Sequence, residues 1–300
     1  MDNIKSGFIG IVGRPNVGKS TLMNTILGKK LAIVTHKAQT TRNRINGILT
    51  ESDCQYVFVD TPGVHTAQNE LDRYMNRVAL QSTKGVDVIL FLAPSNEYIG
   101  ENDSFILKSL KQRDVPVYLV LTKSDLVTNE QLDQKINEWN QQDFKFDAVI
   151  SISATDNKNI DILLEKIKEN LPETGFKFYP DDQYTDQPDR FLIREIIREE
   201  LLLQTEQEIP HSIAILIDKF EDKPHITSVI ASIVCERDSQ KGIVIGNKGS
   251  KIKNVGIKSR EKLELIFGKK FYLELFVKVK EKWRQSASLL KQLGYDKDTY

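Results

Sequence analysis

The densest chemistry in the chain lies at Gly13 to Ser20, GRPNVGKS: a glycine, four residues, then glycine, lysine and a hydroxyl, directly after an apolar run at residues 8 to 12. A turn of that spacing points backbone amides inward around phosphate groups, and the helix after it presents its positive end to them. Nucleotide contacts are therefore expected from Gly13 through Arg14, Pro15, Asn16, Val17, Gly18, Lys19 and Ser20 to Thr21. Lys19 is spaced to reach the β and γ phosphates, and the Ser20 hydroxyl to ligate Mg²⁺.

Further along, VFVDTPG ends a strand-like run with Asp60, Thr61, Pro62 and Gly63, followed by Val64. Asp60 is placed to hold Mg²⁺ through water, and the Gly63 amide to meet a γ phosphate. LVLTKSD then sets Thr122, Lys123, Ser124 and Asp125 at the end of another strand, and SISAT sets Ser153 and Ala154 at the end of the next. A carboxylate such as Asp125 accepts two hydrogen bonds from guanine, at N1–H and the 2-amino group, which adenine cannot offer. A site built on groups that the rival base lacks discriminates by roughly 10⁴ or more, so the expected nucleotide is GTP or GDP.

A second glycine turn has different surroundings. Ile245, Gly246, Asn247, Lys248, Gly249, Lys251, Ile252 and Lys253 lie in VIGNKGSKIK, which lacks phosphate-loop spacing but holds a GXXG turn of the kind that clamps a nucleic-acid backbone. From Lys241 to Arg284 there are 13 lysines and arginines against four glutamates, an excess fit for a nucleic-acid footprint. Lys248, Lys251 and Lys253 are the expected phosphate contacts, with unpaired bases in an apolar groove lined in part by Ile245 and Ile252. Single-stranded RNA is the expected ligand.

The elements that must position these groups follow from the apolar pattern. Runs at 8 to 12, 56 to 60, 88 to 93, 117 to 121 and 148 to 152, each followed by a turn and a helix-like stretch, describe a mostly parallel α/β sheet. After Leu171 comes PETGFKFYPDDQYTDQPDR, polar and poor in periodicity. The expected division is a guanine-nucleotide-binding domain at 1–172, a linker at 173–189 and an RNA-binding domain at 190–300. The last begins with a helix at 190 to 204, continues with strands at 213 to 219 and 226 to 235 and a helix after the GXXG turn, and closes with a strand at 271 to 280. That strand alternates Phe271, Leu273, Leu275, Val277 and Val279 against Glu274, Lys278 and Lys280.

Across the 300 residues, 42 basic side chains balance 42 acidic ones, so the basic window is offset elsewhere. Two distant cysteines, Cys54 and Cys235, argue for a reducing compartment and against structural zinc, and His36, His65, His211 and His225 have no metal-ligand spacing. The opening residues lack a secretory signal and no run approaches a bilayer span, so a cytoplasmic protein is expected. Trp139 and Trp283 are read as packing residues.

The order GRPNVGKS, DTPG, TKSD, SAT resembles the translation-factor-like P-loop GTPases over residues 7 to about 172, and VIGNKGSKI resembles a KH domain of the bacterial type II order. Together they make the chain similar to the Era family from residue 7 to 295. The resemblance implies an α/β P-loop GTPase domain followed by an α+β type II KH domain. It also implies GTP hydrolysis, binding near the 3′ end of 16S ribosomal RNA, and help in maturing the small (30S) ribosomal subunit. Within HKAQTTRNRINGI it implies a mobile loop whose threonine binds Mg²⁺: Thr41, with Thr40 as the competing choice. Val64 stands where many GTPases carry a water-orienting glutamine, leaving Lys19, Gly63, Thr41 and Mg²⁺ to stabilise the transferring phosphoryl group. A K⁺ ion held partly by Asn16 is implied in place of an arginine finger. Thr122 stands where the family usually has asparagine, which is expected to weaken one tie between loops. A monomer is expected; peripheral association with the inner face of the cell membrane enters only through the resemblance.

Overall fold

The computed structural model describes residues 4–35, 37 and 39–296; His36 lies outside them. The chain divides into two units, one of Met1–Ala32, Thr41–Ala67 and Met75–Asp186, the other of Ile33–Thr40, Gln68–Tyr74 and Gln187–Tyr300.

The first unit is built on six strands, β1 (Lys5–Val12), β2 (Ile45–Thr50), β3 (Cys54–Asp60), β4 (Val88–Pro94), β5 (Val117–Thr122) and β6 (Ala148–Ser151), in the order β2-β3-β1-β4-β5-β6. The helices are α1 (Lys19–Leu27), α3 (Glu101–Leu110), α4 (Asn129–Asn140) and α5 (Ile160–Asn170), with α2 (Glu70–Gln81) belonging to this unit from Met75 onward. Five strands are parallel, and β3 and β4 are buried at every position, the signature of strands covered on both faces. The exception is β2, an antiparallel edge strand paired from Ile45↔Asp60 to Thr50↔Gln55. The sequence reading had given part of it to a mobile loop. Its apolar Ile45, Ile48 and Leu49, with the short polar turn Glu51–Ser52–Asp53 behind them, are the hairpin signal.

Residues 173 to 186, expected as linker, belong to this unit. Ile48 N–H donates to the Tyr184 carbonyl at 2.9 Å, and the Gln55 side-chain amide donates to the Tyr179 carbonyl at 2.9 Å and accepts from Tyr179 N–H at 2.9 Å. Polar composition marked this stretch as irregular, but backbone groups in an irregular stretch still find partners.

In the second unit, α6 (Asp189–Gln204), the one-turn α7 (Ile209–Ser212), β7 (Ala214–Asp222), β8 (Ile226–Cys235), α8 (Asp238–Ile245), α9 (Ser250–Phe267) and β9 (Lys270–Val279) precede a short α10 (Ala287–Gln292). The sheet order is β7-β8-β9, with β8 antiparallel to β7 and parallel to β9. Ile193, Ile197 and Leu201 of α6 and Val255 and Leu263 of α9 share one core with Val229, Ala231 and Ile233 of β8, while Phe271, Leu273, Leu275 and Val277 pack from β9 as the alternation required. Trp283 is buried, its indole N–H donating to the Ser212 carbonyl at 3.0 Å. Trp139 is buried edge-on against Phe91 in the first unit's core. Both cysteines are buried free thiols.

Candidate active site and nucleic-acid interface

Parallel pairing brings the motif-bearing strand ends to one edge: Ile11 pairs with Asp60, Pro94 with Thr122 and Leu121 with Ser151. The strand order reverses about β1, and ligands of open α/β sheets sit outside the carboxyl ends at such a point. From β1 the chain turns through Gly13 to Gly18 into α1, whose first turn carries no acidic residue to compete with a bound anion. Asn16 adopts a left-handed backbone, φ 63°, on the exposed rim of this turn.

Lys19 is only 6% exposed, its ammonium donating to the Gly13 carbonyl at 3.1 Å and the Arg14 carbonyl at 2.8 Å. Burial lowers its pKa to about 8, with Asp60 opposing the shift. Ser20 Oγ donates to Asp60 Oδ2 at 2.7 Å and lies 2.8 Å from Thr41 Oγ1, which is itself 3.5 Å from Asp60 Oδ2. Ser20, Thr41 and Asp60 therefore converge. Thr40 does not join them; its hydroxyl bonds the Lys37 carbonyl and Thr35 Oγ1. Asp60 is fully buried and that burial pushes its carboxyl pKa up, while its other oxygen, Oδ1, has no hydrogen-bond partner among the described residues. Two hydroxyls and a carboxylate with a spare buried oxygen form an all-oxygen donor set suited to Mg²⁺, which takes few protein ligands and completes its shell with water and phosphate.

Thr61 Oγ1 donates to the Ile11 carbonyl at 2.8 Å, anchoring the next turn to β1. A Cβ at Gly63 would stand 2.6 Å from Pro15 N and 2.7 Å from Pro15 Cα, so only glycine lets this turn lie against the phosphate loop. Pro62 is buried, and Val64 is 1% exposed within the core, its N–H donating to the Gly13 carbonyl at 3.3 Å. Its side chain faces apolar neighbours and cannot hold a water. His65, read from the sequence only as a histidine without metal-ligand spacing, has its Nδ1 2.9 Å from the Gly63 carbonyl.

The base-reading loops meet through Ser124 N–H, which donates to the Ile152 carbonyl at 3.1 Å. Asp125 is exposed and so accessible to a ligand, and Lys123 holds a left-handed backbone, φ 57°. Ser153 is buried, its Oγ accepting from Asp156 N–H at 3.2 Å, and the Ala154 carbonyl accepts from Thr25 Oγ1 at 2.9 Å. The tie expected to weaken at Thr122 is present in another form, because Thr122 Oγ1 donates to the Val17 carbonyl at 2.7 Å. A threonine has one such donor, so this bond leaves it none for the base.

In the second unit, Gly246 (φ 74°), Lys248 (φ 49°) and Gly249 (φ 79°) form the tight turn between α8 and α9. A Cβ at Gly246 would come 2.7 Å from Lys251 Cβ. Asn247, Lys248 and Lys253 are exposed and Lys251 is half-buried; among the described residues the three lysines have no ion pair. Lys262, Lys269, Lys278 and Arg284, by contrast, pair with acids outside the basic window, Glu199 and Glu200, Asp222, Asp218 and Glu236. Beside the turn a groove of about 320 Å³ runs between α9 and β9, lined by Ile252 and Lys253 together with Gly256, Ile257, Arg260 and Leu275, which the sequence reading did not assign to the site. Ile245 is half-buried and lies outside that lining. The register of α9 carries the missing signal, since Gly256 and Arg260 follow Ile252 at four-residue steps on the same helix face.

Residues 8–123 match the family model described as 50S ribosome-binding GTPase, and residues 208–284 match the KH domain model. A crystal structure of an Aquifex aeolicus Era variant bound to GDP and aluminium fluoride is 36% identical, covering 97% of this chain and 99% of that one with a TM-score of 0.93. A structure of Era with MgGDPNP and nucleotides 1506–1542 of 16S ribosomal RNA is likewise 36% identical, covers 97% and 99%, and has a TM-score of 0.94. With that identity sustained over both units, and with the phosphate loop and the GXXG turn in place, the chain belongs to the Era family of GTPases.

Proposed function

We propose that this chain is a GTP-hydrolysing switch that binds the 3′ end of 16S ribosomal RNA and assists maturation of the small ribosomal subunit, with GTPase chemistry in residues 1–172 and RNA reading in residues 190–300. The observation that carries the reading is the convergence of Ser20, Thr41 and Asp60 beside the buried Lys19, at the sheet edge where the guanine-reading loops also end. Lys19 and the amides of the phosphate loop bind the β and γ phosphates, and Ser20, Thr41 and Asp60 hold Mg²⁺. When bound, that ion neutralises charge on the β and γ oxygens. Gly63 N–H faces the transferring group. With Val64 in the core, no side chain at that position orients water, so stabilisation falls to Lys19, to the loop amides and to a K⁺ ion held in part by Asn16. Asp125 selects guanine. Turnover is slow, and equal rates in K⁺ and Na⁺ would remove the potassium assignment.

The RNA assignment rests on the lysines of the GXXG turn and α9 that form no ion pair among the described residues, the adjoining groove and the RNA-bound relative. The family model whose description names the 50S subunit spans residues 8–123 and so does not include the RNA-reading unit. A cytoplasmic location follows from such a ligand. Among the described residues no helix is long and apolar enough to cross a membrane, so contact with the inner membrane face would be peripheral. The chain is taken as a monomer, which sedimentation checks.

Phosphate release by the purified chain, compared with Lys19→Ala and measured with and without a 16S 3′-end oligonucleotide in K⁺ and in Na⁺, tests the whole reading. RNA-stimulated release lost in the variant is the expected result; release indifferent to Lys19 would overturn it.

A further inference from the structure

The segment from Ser95 to Gly100, between β4 and α3, contains none of the nucleotide motifs, yet it is bonded to both the phosphate loop and the base-reading loop. Ser95 donates twice to the Thr122 carbonyl, from N–H and from Oγ, each at 2.8 Å. Two residues on, Glu97 splits its carboxylate: Oε2 accepts from Arg14 Nη2 at 3.0 Å, and Oε1 accepts from Lys123 Nζ at 3.0 Å. Arg14 is further fixed by the Tyr98 carbonyl at 3.2 Å and by the buried Asp103 carboxylate, 3.5 Å from Nε. Its own carbonyl holds the Lys19 ammonium. Lys123 sits in a left-handed backbone conformation two residues before Asp125, so its side-chain anchor helps to fix a strained turn.

We propose that Glu97 is a positioning residue for the guanine nucleotide, a strut that fixes the spacing between the phosphate cradle and the base-reading loop. Thr122, in the place usually held by asparagine, ties these same two loops through its hydroxyl, which bonds the Val17 carbonyl. An asparagine amide has two donors and would make a stronger tie. Glu97 shares that task in this chain, so its contribution depends on which residue stands at position 122.

The inference rests on the guanine site at Thr122 to Asp125, and a base-swap control separates the two. Asp125→Asn should exchange preference from GDP to xanthosine diphosphate, because an amide can donate to the 2-carbonyl of xanthine; retained GDP preference would defeat the site itself. With that control passed, release of mant-GDP is measured from the full chain and from Glu97→Ala, Glu97→Asp and Glu97→Gln, each with Thr122 and with Thr122→Asn. With Thr122, Glu97→Ala should speed release about fivefold, the scale of a partly exposed ion pair that is geometrically fixed, and Glu97→Asp should recover part of the loss. With Thr122→Asn the same change should give less than about twofold, since neighbouring ties are not additive. Raising salt should narrow the gap between the natural chain and Glu97→Ala, a response that a purely packing role would not produce. Release unaffected by Glu97→Ala, or accelerated equally in both backgrounds, would overturn the proposal.

Discussion

Lys19 and Lys248 both belong to glycine turns for which phosphate contacts are proposed, but their environments differ. Lys19 is buried, bonded to two carbonyls of its own loop and close to a buried carboxylate; Lys248 is exposed and, among the described residues, unpaired. Charge in the first site acts at short range in a medium of low effective dielectric, so it supports catalysis and resists screening. Charge in the second acts through solvent, so it supports a reversible grip on a polyanion and yields to salt.

The largest expected contrast comes from deleting the buried charge. Lys19→Ala should lower the rate of GTP hydrolysis on the order of 10³, as removal of a preorganised donor to a developing anion does. RNA affinity measured without nucleotide should change less than twofold. A variant that lost both functions equally would show that the buried lysine is needed for folding rather than for chemistry.

Salt should separate the sites next. With about four phosphates met by lysines of α9 and its turn, RNA affinity should fall on the order of 50-fold between 50 and 200 mM salt, while GDP affinity falls less than about threefold. Titrations of a single-stranded 16S 3′-end oligonucleotide and of GDP across that range check this, and parallel slopes would erase the contrast. A narrower probe is Thr122→Val, which removes the hydroxyl and leaves the buried Val17 carbonyl without its bond at 2.7 Å. The cost of an unmade buried hydrogen bond, about 1 kcal/mol at the low end, predicts GDP release about fivefold faster in a stopped-flow chase.

The two sites also differ in how far the sequence disclosed them. Contiguous motifs gave Gly13 to Ser20, Asp60 to Gly63 and Gly246 to Gly249 their places, because local spacing alone fixes a tight turn at a strand or helix end. Groups whose role depends on a partner distant in sequence were not legible. Glu97 acquires meaning only when β4 lies beside β5 and β1. The Thr122 hydroxyl finds Val17 across the sheet edge. Gly256, Arg260 and Leu275 become groove residues only once α9 packs against β9. Likewise Ile45 to Ile48 read as part of a loop because the burial of β2 comes from pairing with β3, whereas Thr41, just before it, contacts Ser20 and Asp60.

Proton uptake gives the smallest and most specific test of the comparison. Lys19 falls from the ordinary lysine value of 10.5 to about 8 because burial disfavours its charge. Between pH 8 and 10.5 the folded chain then binds fewer protons at this residue than the unfolded chain does, so this group makes folding more favourable as pH rises through that window; below about pH 8 the full cost of a buried charge remains. Bringing anionic phosphate to the ammonium favours its charged form, so GDP binding at pH 8 should take up about half a proton, and at pH 6 almost none from this group. Calorimetry in two buffers of different ionisation enthalpy measures the uptake directly. Lys19→Arg should abolish it, since a guanidinium stays charged across the range. Uptake that persists in Lys19→Arg would show that the proton goes to another group and that burial does not hold the Lys19 ammonium partly neutral.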